Sequence, residues 1–331
     1  MSIFGKLFGK RVEFGVEKQG ELDFEKITKG GFGVSADGSM IAHIKKNEGS
    51  QKSDGIISVM SPDGDLKKEI IVPAYASIDE PRLKFSSDGK TLVAIYAYLE
   101  GYAYTIHDLR SWECKTAKII GKTKGVTDFD ISMDGDRMAV ASHDVDGQVF
   151  IVNIKCGTVA LARPEIKGHG VHVTFSLFSP DGRKVYSGWY DGAIIAWGVA
   201  GNQNQWSGKE LMKPAGRMIT AAALSTDGLN LAVAWSKNHE TGVALYNTNT
   251  WGIANEIDTN VCALTFTKSG QLLGLHGSDR SKVYVWAKNK FDLETTLELG
   301  SQYSEAFFSP DGRHVIGQAS GSECLDIWRI Y

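Results

Sequence analysis

His169, Ser187 and Asp191 stand within one short segment, and their types are those a hydrolase uses as base, nucleophile and orienting carboxylate, with Trp197 close behind. A second set is charged. Arg82 and Lys84 precede Asp88 by six and four residues, and Asp128 and Asp130 precede Asp134 by the same offsets. Two cations and two anions at matched positions in successive segments could pair with one another, or could line a site for a small polar ligand. A third set is aromatic. Tyr96, Trp189 and Trp235 each follow an Asp by eight residues, with Tyr98 and Tyr190 nearby.

Other catalytic and metal motifs are incomplete. The stretch "IIGKTKG" contains Gly-Lys-Thr, but Thr116 stands where a phosphate loop needs glycine. "NHETG" lacks the second histidine of a zinc protease, and no Gly-x-Ser-x-Gly elbow occurs. The alternating carboxylates of residues 128–136 and 143–147 have calcium-ligand chemistry, although Asp-Gly is far commoner as a hairpin turn. No metal and no cofactor is expected. The net charge of −3 and a pI near 6.3 offer no basic field for nucleic acid. Cys114, Cys156, Cys262 and Cys324 are widely spaced, with no CxxC pair, and no glycosylation sequon is present. No apolar run reaches the ~18–20 residues that span a bilayer. "MSIFGKLFGKR" is too interrupted for a signal-peptide core. These features point to a cytoplasmic chain without stable membrane association. The apolar Ile3, Phe4, Leu7 and Phe8 fit a frayed tail or a plug better than a lipid anchor.

The positioning elements follow from a period. "VSADG", "FSSDG", "ISMDG", "FSPDG", "LSTDG", "FTKSG" and a second "FSPDG" place the residue before glycine at 37, 88, 134, 181, 227, 269 and 311. The spacings of 51, 46, 47, 46, 42 and 42 are even enough to define a repeat. An apolar residue always stands three before that position: Val34, Phe85, Ile131, Phe178, Leu224, Phe266 and Phe308. Short β-rich runs separated by Gly/Asp/Asn turns follow, so each unit reads as four strands joined by hairpins. "SPDGD" at 61–65 is out of phase and is assigned to the hairpin between the third and fourth strands of the first unit. Seven such units predict an all-β, seven-bladed β-propeller of four-stranded antiparallel sheets.

The unit "GHGVHVTFSLFSPDGRKVYSGWYDGAIIAWG" resembles the WD-repeat family, whose unit runs Gly-His, strand a, a Ser-Pro-Asp-Gly turn, strand b, an Asp turn and strand c ending in Trp-Asp. Gly198 replaces that last Asp, and the final two units keep only Trp286 and Trp328. The resemblance implies that His169, Ser187, Asp191 and Trp197 are a structural tetrad, not a catalytic set. It also implies protein or peptide binding on the face formed by the d–a and b–c loops, and hence a non-catalytic scaffold, a monomer or a subunit of a complex. The rival is a propeller enzyme or small-ligand binder using Arg82, Lys84, Asp128 and Asp130 at the channel. The aromatic group Trp189, Tyr190, Trp235, Tyr96 and Tyr98 is the expected partner-binding set, with packing between blades as the alternative.

The last unit reaches Tyr331 after strand c, so its fourth strand is expected from the other end, at residues 21–27. The propeller is placed at 21–331, after a tail of residues 1–20 in which 11–17 adds an extra edge strand through the "KQG" turn.

Overall fold

The computed structural model describes residues 14–23, 31–46, 55–72, 81–98, 101–117, 125–143, 148–154, 158–162, 172–199, 208–212, 216–288, 290–320, 322 and 324–331. Within them the chain forms seven four-stranded antiparallel sheets and no helix, arranged as a seven-bladed β-propeller. β1 (Val16–Asp23) comes first and is set aside for the last blade. Blade 1 is β2 (Phe32–Val34), β3 (Ile41–Lys46), β4 (Gly55–Met60) and β5 (Leu66–Val72). Blade 2 is β6 (Arg82–Phe85), β7 (Thr91–Tyr98), β8 (Gly101–Asp108) and β9 (Cys114–Ala117). Blade 3 is β10 (Val126–Ile131), β11 (Arg137–Ser142), β12 (Val149–Asn153) and β13 (Val159–Ala162). Blade 4 is β14 (Val173–Phe178), β15 (Lys184–Trp189), β16 (Ile194–Gly198) and β17 (Gly208–Met212). Blade 5 is β18 (Met218–Leu224), β19 (Asn230–Lys237), β20 (Glu240–Asn247) and β21 (Ile253–Asp258). Blade 6 is β22 (Val261–Phe266), β23 (Leu272–His276), β24 (Lys282–Trp286) and β25 (Leu293–Glu298). Blade 7 is β26 (Tyr303–Phe308), β27 (His314–Ala319) and β28 (Cys324–Ile330), completed by β1. The hairpin assigned to 61–65 lies between β4 and β5, the third and fourth strands of blade 1.

Local chemistry makes the repeated a–b turn. In blade 4 the Ser179 hydroxyl donates to Asp181 Oδ1 at 2.6 Å, which accepts the Arg183 N–H at 3.0 Å. The same hydroxyl oxygen accepts the Lys184 N–H at 2.9 Å. Gly182 takes a left-handed φ of 65°, which glycine adopts without penalty. Ser35–Asp37, Ser86–Asp88, Ser132–Asp134, Ser225–Asp227 and Ser309–Asp311 repeat the bond. Blade 6 keeps the shape with Thr267, Ser269 and Gln271 in place of the carboxylate. The serine hydroxyl is the main reason Asp37, Asp181 and Asp227 are held below the usual carboxylate range.

The core lies between blades. Strands b and c are apolar on both faces, as in β11 and β12, whereas the outer β21 and β25 are largely exposed. Seven buried clusters result, and each joins one pair of neighbouring blades. The cluster of Phe32, Val34, Ile41, Ile316, Leu325 and Ile327 joins blade 7 to blade 1 and closes the ring.

Blade 7 is closed by an N-terminal strand, as expected, but that strand begins at Val16 and not at 21. β1 pairs antiparallel with β28 from Val16↔Ile330 to Asp23↔Cys324. The "KQG" segment is no turn: it lies within β1, where the register shifts between Lys18 and Gly20. Residues 14–17 therefore extend the closing strand instead of adding a fifth. Gly15 and Tyr331 exchange N–H···O bonds of 3.0 and 3.2 Å beyond the strand's end. Residues 1–13 and 24–30 lie outside the described set. The junction also has a polar lock. Lys18 Nζ lies 2.6 Å from Asp326 Oδ1, and the Tyr303 hydroxyl donates to Asp326 Oδ2 at 2.8 Å. Trp328 Nε1 in turn donates to the Tyr303 hydroxyl at 2.7 Å. Asp326 is buried, and these donors give its carboxylate oxygens partners there.

Two predictions follow from this architecture. Removing residues 1–23 exposes the β28 edge, and the variant should aggregate or melt at least about 10 °C lower by calorimetry, several kcal/mol at this size. Removal of residues 1–10 alone should leave melting nearly unchanged; an equally stable monomer lacking 1–23 would contradict the closure.

His43 on β3 and His107 on β8 are buried, and burial pushes both imidazoles down to about 4. Their unfolded counterparts protonate near 6.5, so between 6.5 and 4 the unfolded chain holds more protons. Stability should be complete above about pH 6.5 and fall as pH drops towards 4, by up to about 3 kcal/mol per histidine. The melting temperature followed from pH 7.5 to 4.5 checks this. His107→Gln should flatten the slope, and a pH-independent parent would refute it.

Candidate functional site

Each of the three residue sets has a definite place. Ser187, on β15, is fully buried, and its oxygen accepts the Trp197 Nε1–H from β16 at 2.7 Å. Trp197 is equally buried, and Asp191 Oδ1 accepts the Ala193 N–H at 3.0 Å to fix the b–c turn. His169 lies outside the described residues. A hydroxyl closed off from solvent and already bonded to an indole cannot attack a substrate, so the Ser187–Trp197 pair fastens strand b to strand c.

The aromatic set is divided by burial. Tyr96 and Trp189 sit inside the clusters between blades 1 and 2 and between blades 3 and 4. In blades 2 and 4 strand b is covered on both faces even at its end, so the ring there packs inward. Trp235 is partly covered by Arg217, whose guanidinium carbon lies 3.8 Å from the ring centroid. The Tyr98 side chain is outside the described set. Tyr190 alone of the described four is an exposed large ring, at 46%. It stands in the b–c turn of blade 4, edge-on to His172 with centroids 6.0 Å apart. His172 in turn stacks on His143 of blade 3 at 3.7 Å, with their Nε2 atoms 3.1 Å apart. These two histidines were not singled out in the sequence; His172 lies one residue before strand a and His143 one after strand b, where loop and strand are indistinguishable by pattern.

The charged set does come together at the channel, but not as one group. Lys84 Nζ reaches Asp128 Oδ1 at 3.2 Å and Asp130 Oδ1 at 3.9 Å, and it also donates to the Phe129 carbonyl. Loss of hydration pulls the Lys84 ammonium down, yet the two carboxylates outweigh it and hold it above its ordinary range. Loss of hydration pushes Asp130 up, against the pull of Lys84 and the Phe178 N–H. The other carboxylate oxygens face blade 4: Asp128 Oδ2 accepts the Ser176 N–H at 3.3 Å and Asp130 Oδ2 the Phe178 N–H at 2.8 Å. Strand a is the inner edge of each sheet and leaves alternate N–H groups unpaired towards the channel. Carboxylates two residues apart on β10 meet alternate N–H groups of β14. Three of the four channel residues therefore stitch blades 2, 3 and 4 together. Asp134 is taken up by its own turn, with Oδ1 accepting from Ser132 and the Asp136 N–H. The carboxylates of 128–136 accordingly form no common cation cage, and residues 144–147 lie outside the described set. Among the described residues no group of three or more His, Cys, Asp or Glu is placed to hold a metal.

A feature invisible in the turn motif shapes the mouth. In blades 3 to 7 the a–b register shifts around Thr127, Thr174, Thr220, Cys262 and Ser304, each seven residues before the turn position. Four of these bulged residues donate to a strand-b carbonyl: Thr127 to Ala141, Thr174 to Gly188, Cys262 to His276 and Ser304 to Gln318. A small side chain with a donor at that offset was the available signal. The bulges flare the start of strand a around a cavity of about 450 Å³ on the d–a/b–c side, whose wall includes Arg82, Lys84, Asp128, Arg280 and Glu305. The opposite mouth, about 460 Å³, is ringed by Phe85, Phe178, Phe266 and Phe308.

The sequence matches no family model, and no curated protein matches it. No described helix is long and apolar enough to cross a membrane.

Deleting an inter-blade acceptor should show its structural role. Asp130→Ala strands the Phe178 N–H and should cost about 1–3 kcal/mol in denaturant unfolding, while Asp130→Asn, which keeps an acceptor, should cost less. Trp197→Ala should cost about 3–5 kcal/mol. Unchanged stability in all three would contradict the assignment.

Proposed function

We propose that this propeller is a non-catalytic scaffold that binds a protein or peptide partner on its d–a/b–c loop face. One observation carries the reading: Tyr190 is exposed on that face, backed by the stacked His172 and His143 across the joint between blades 3 and 4. Exposed aromatic rings held by packed neighbours are favoured anchors, because little side-chain freedom is lost on binding. The resemblance of blade 4 to the WD-repeat unit supports the same face. The serine, aspartate and tryptophan that could suggest hydrolysis have structural partners, which favours binding over turnover. A reducing, cytoplasmic setting agrees with the free thiol of Cys262. The chain acts alone or as one subunit of a larger assembly.

Affinity isolation from the native host, with quantitative mass spectrometry, tests the proposal. A specific partner should be retained by the parent and lost at least about tenfold by Tyr190→Ala, with melting unchanged within about 2 °C. Equal recovery with both proteins would remove Tyr190 and its face from the account.

A further inference from the structure

Among the described residues, the channel mouth holds a cation that the architecture does not use. Arg82 opens β6 and lines the d–a/b–c cavity. Its Nε is screened from solvent and meets no hydrogen-bond acceptor among the described residues, and its guanidinium forms no ion pair among them. Lys84, two residues on, is fully engaged with Asp128, Asp130 and the Phe129 carbonyl, so those carboxylates already have partners. A second guanidinium faces the same space. Arg280 sits in the b–c turn of blade 6 with a left-handed φ of 53° and is tethered by an Nη1 bond of 3.2 Å to the Tyr303 carbonyl. That tether and a side-chain contact with the Cys262 sulfur leave further guanidinium donors for other acceptors. Among the described residues of this wall, the acidic groups are Asp128 and Glu305.

We propose that this mouth is a binding site for a small oxyanion, a phosphate- or carboxylate-bearing compound, held by Arg82 with Arg280. An Arg Nε–H closed off from water without an acceptor is unfavourable, and the guanidinium's planar fork of donors matches a phosphate or carboxylate oxygen pair. A cavity of about 450 Å³ suits a metabolite-sized ligand. Phe32, Phe129 and Phe307 supply apolar walls that strengthen the pairing by excluding water. Glu305 opposes anion entry and sets how much negative charge the ligand must bring. The site stands independently of the protein-binding reading, since it uses neither Tyr190 nor the histidine pair.

The test is calorimetric titration of the full chain at low ionic strength with two probes, pyrophosphate and citrate. Saturable binding of pyrophosphate assigns the phosphate class, and of citrate the carboxylate class; either supports the site. Arg82→Gln should weaken binding at least about tenfold, and Glu305→Gln should strengthen it severalfold. The unliganded Arg82→Gln protein should melt no lower than the parent, because no bond of the fold is lost. Silence of both probes, or binding unaffected by Arg82→Gln, overturns the proposal. So does an Arg82→Gln protein that melts well below the parent, because Arg82 would then serve the fold.

Discussion

A ring of sheets is stable only if it closes, and here closure depends on pairing the two ends of the chain. β28 would otherwise present an unpaired edge beside a well-packed blade, with the cluster between blades 6 and 7 half open to water. β1 supplies the missing strand, and Val16 and Phe14 pack onto that cluster. Lys18 adds a specific device: it neutralises the buried Asp326, which also holds Tyr303 and, through it, Trp328. A mispaired strand would leave Asp326 without its cation, so the ion pair favours one register over its neighbours. Every inter-blade cluster, and hence both channel mouths, depends on the ring being held at seven blades.

The same logic explains why so many chemistry-bearing side chains are structural. Four strands per blade leave polar backbone at the a–b turn, at the bulge near the start of strand a and along the inner edge. Serine and aspartate bond the first, threonine, cysteine and serine the second, and Asp128 with Asp130 the third. A Ser-Asp pair repeated in six blades is the mark of a backbone requirement, whereas a site is built once. Groups that occur once and lack a backbone partner are therefore the informative ones. Among the described residues, Tyr190 and Arg82 meet that description on the same face, one at the joint of blades 3 and 4 and one at the channel.

The fold was legible in the sequence because its turn is fixed locally: Ser-x-Asp-Gly positions hydroxyl, carboxylate and left-handed glycine within four residues. Closure was legible in kind but not in position. Both 11–17 and 21–27 alternate, and "KQG" has turn composition, yet β28 pairs through it because the register shift at Lys18–Gly20 keeps the strand continuous. The opposition of Lys84 to Asp128 and Asp130 followed from equal offsets before the turn. That Arg82 would stay outside this network did not, because partner choice depends on side-chain reach across a curved wall. Arg280 and Glu305 come from other blades and carry no shared motif. Trp189 and Tyr96 looked like a surface set because periodicity places a residue along a strand and is silent about what covers its end.

Native-state hydrogen exchange on the full chain tests the closure most directly. Amides of β1 and β28 should exchange only with global unfolding, with protection equal to that of the central β27. Rapid exchange of β1 and β28 while β27 stays protected would mean that the two ends fray as an open edge, and would contradict the account.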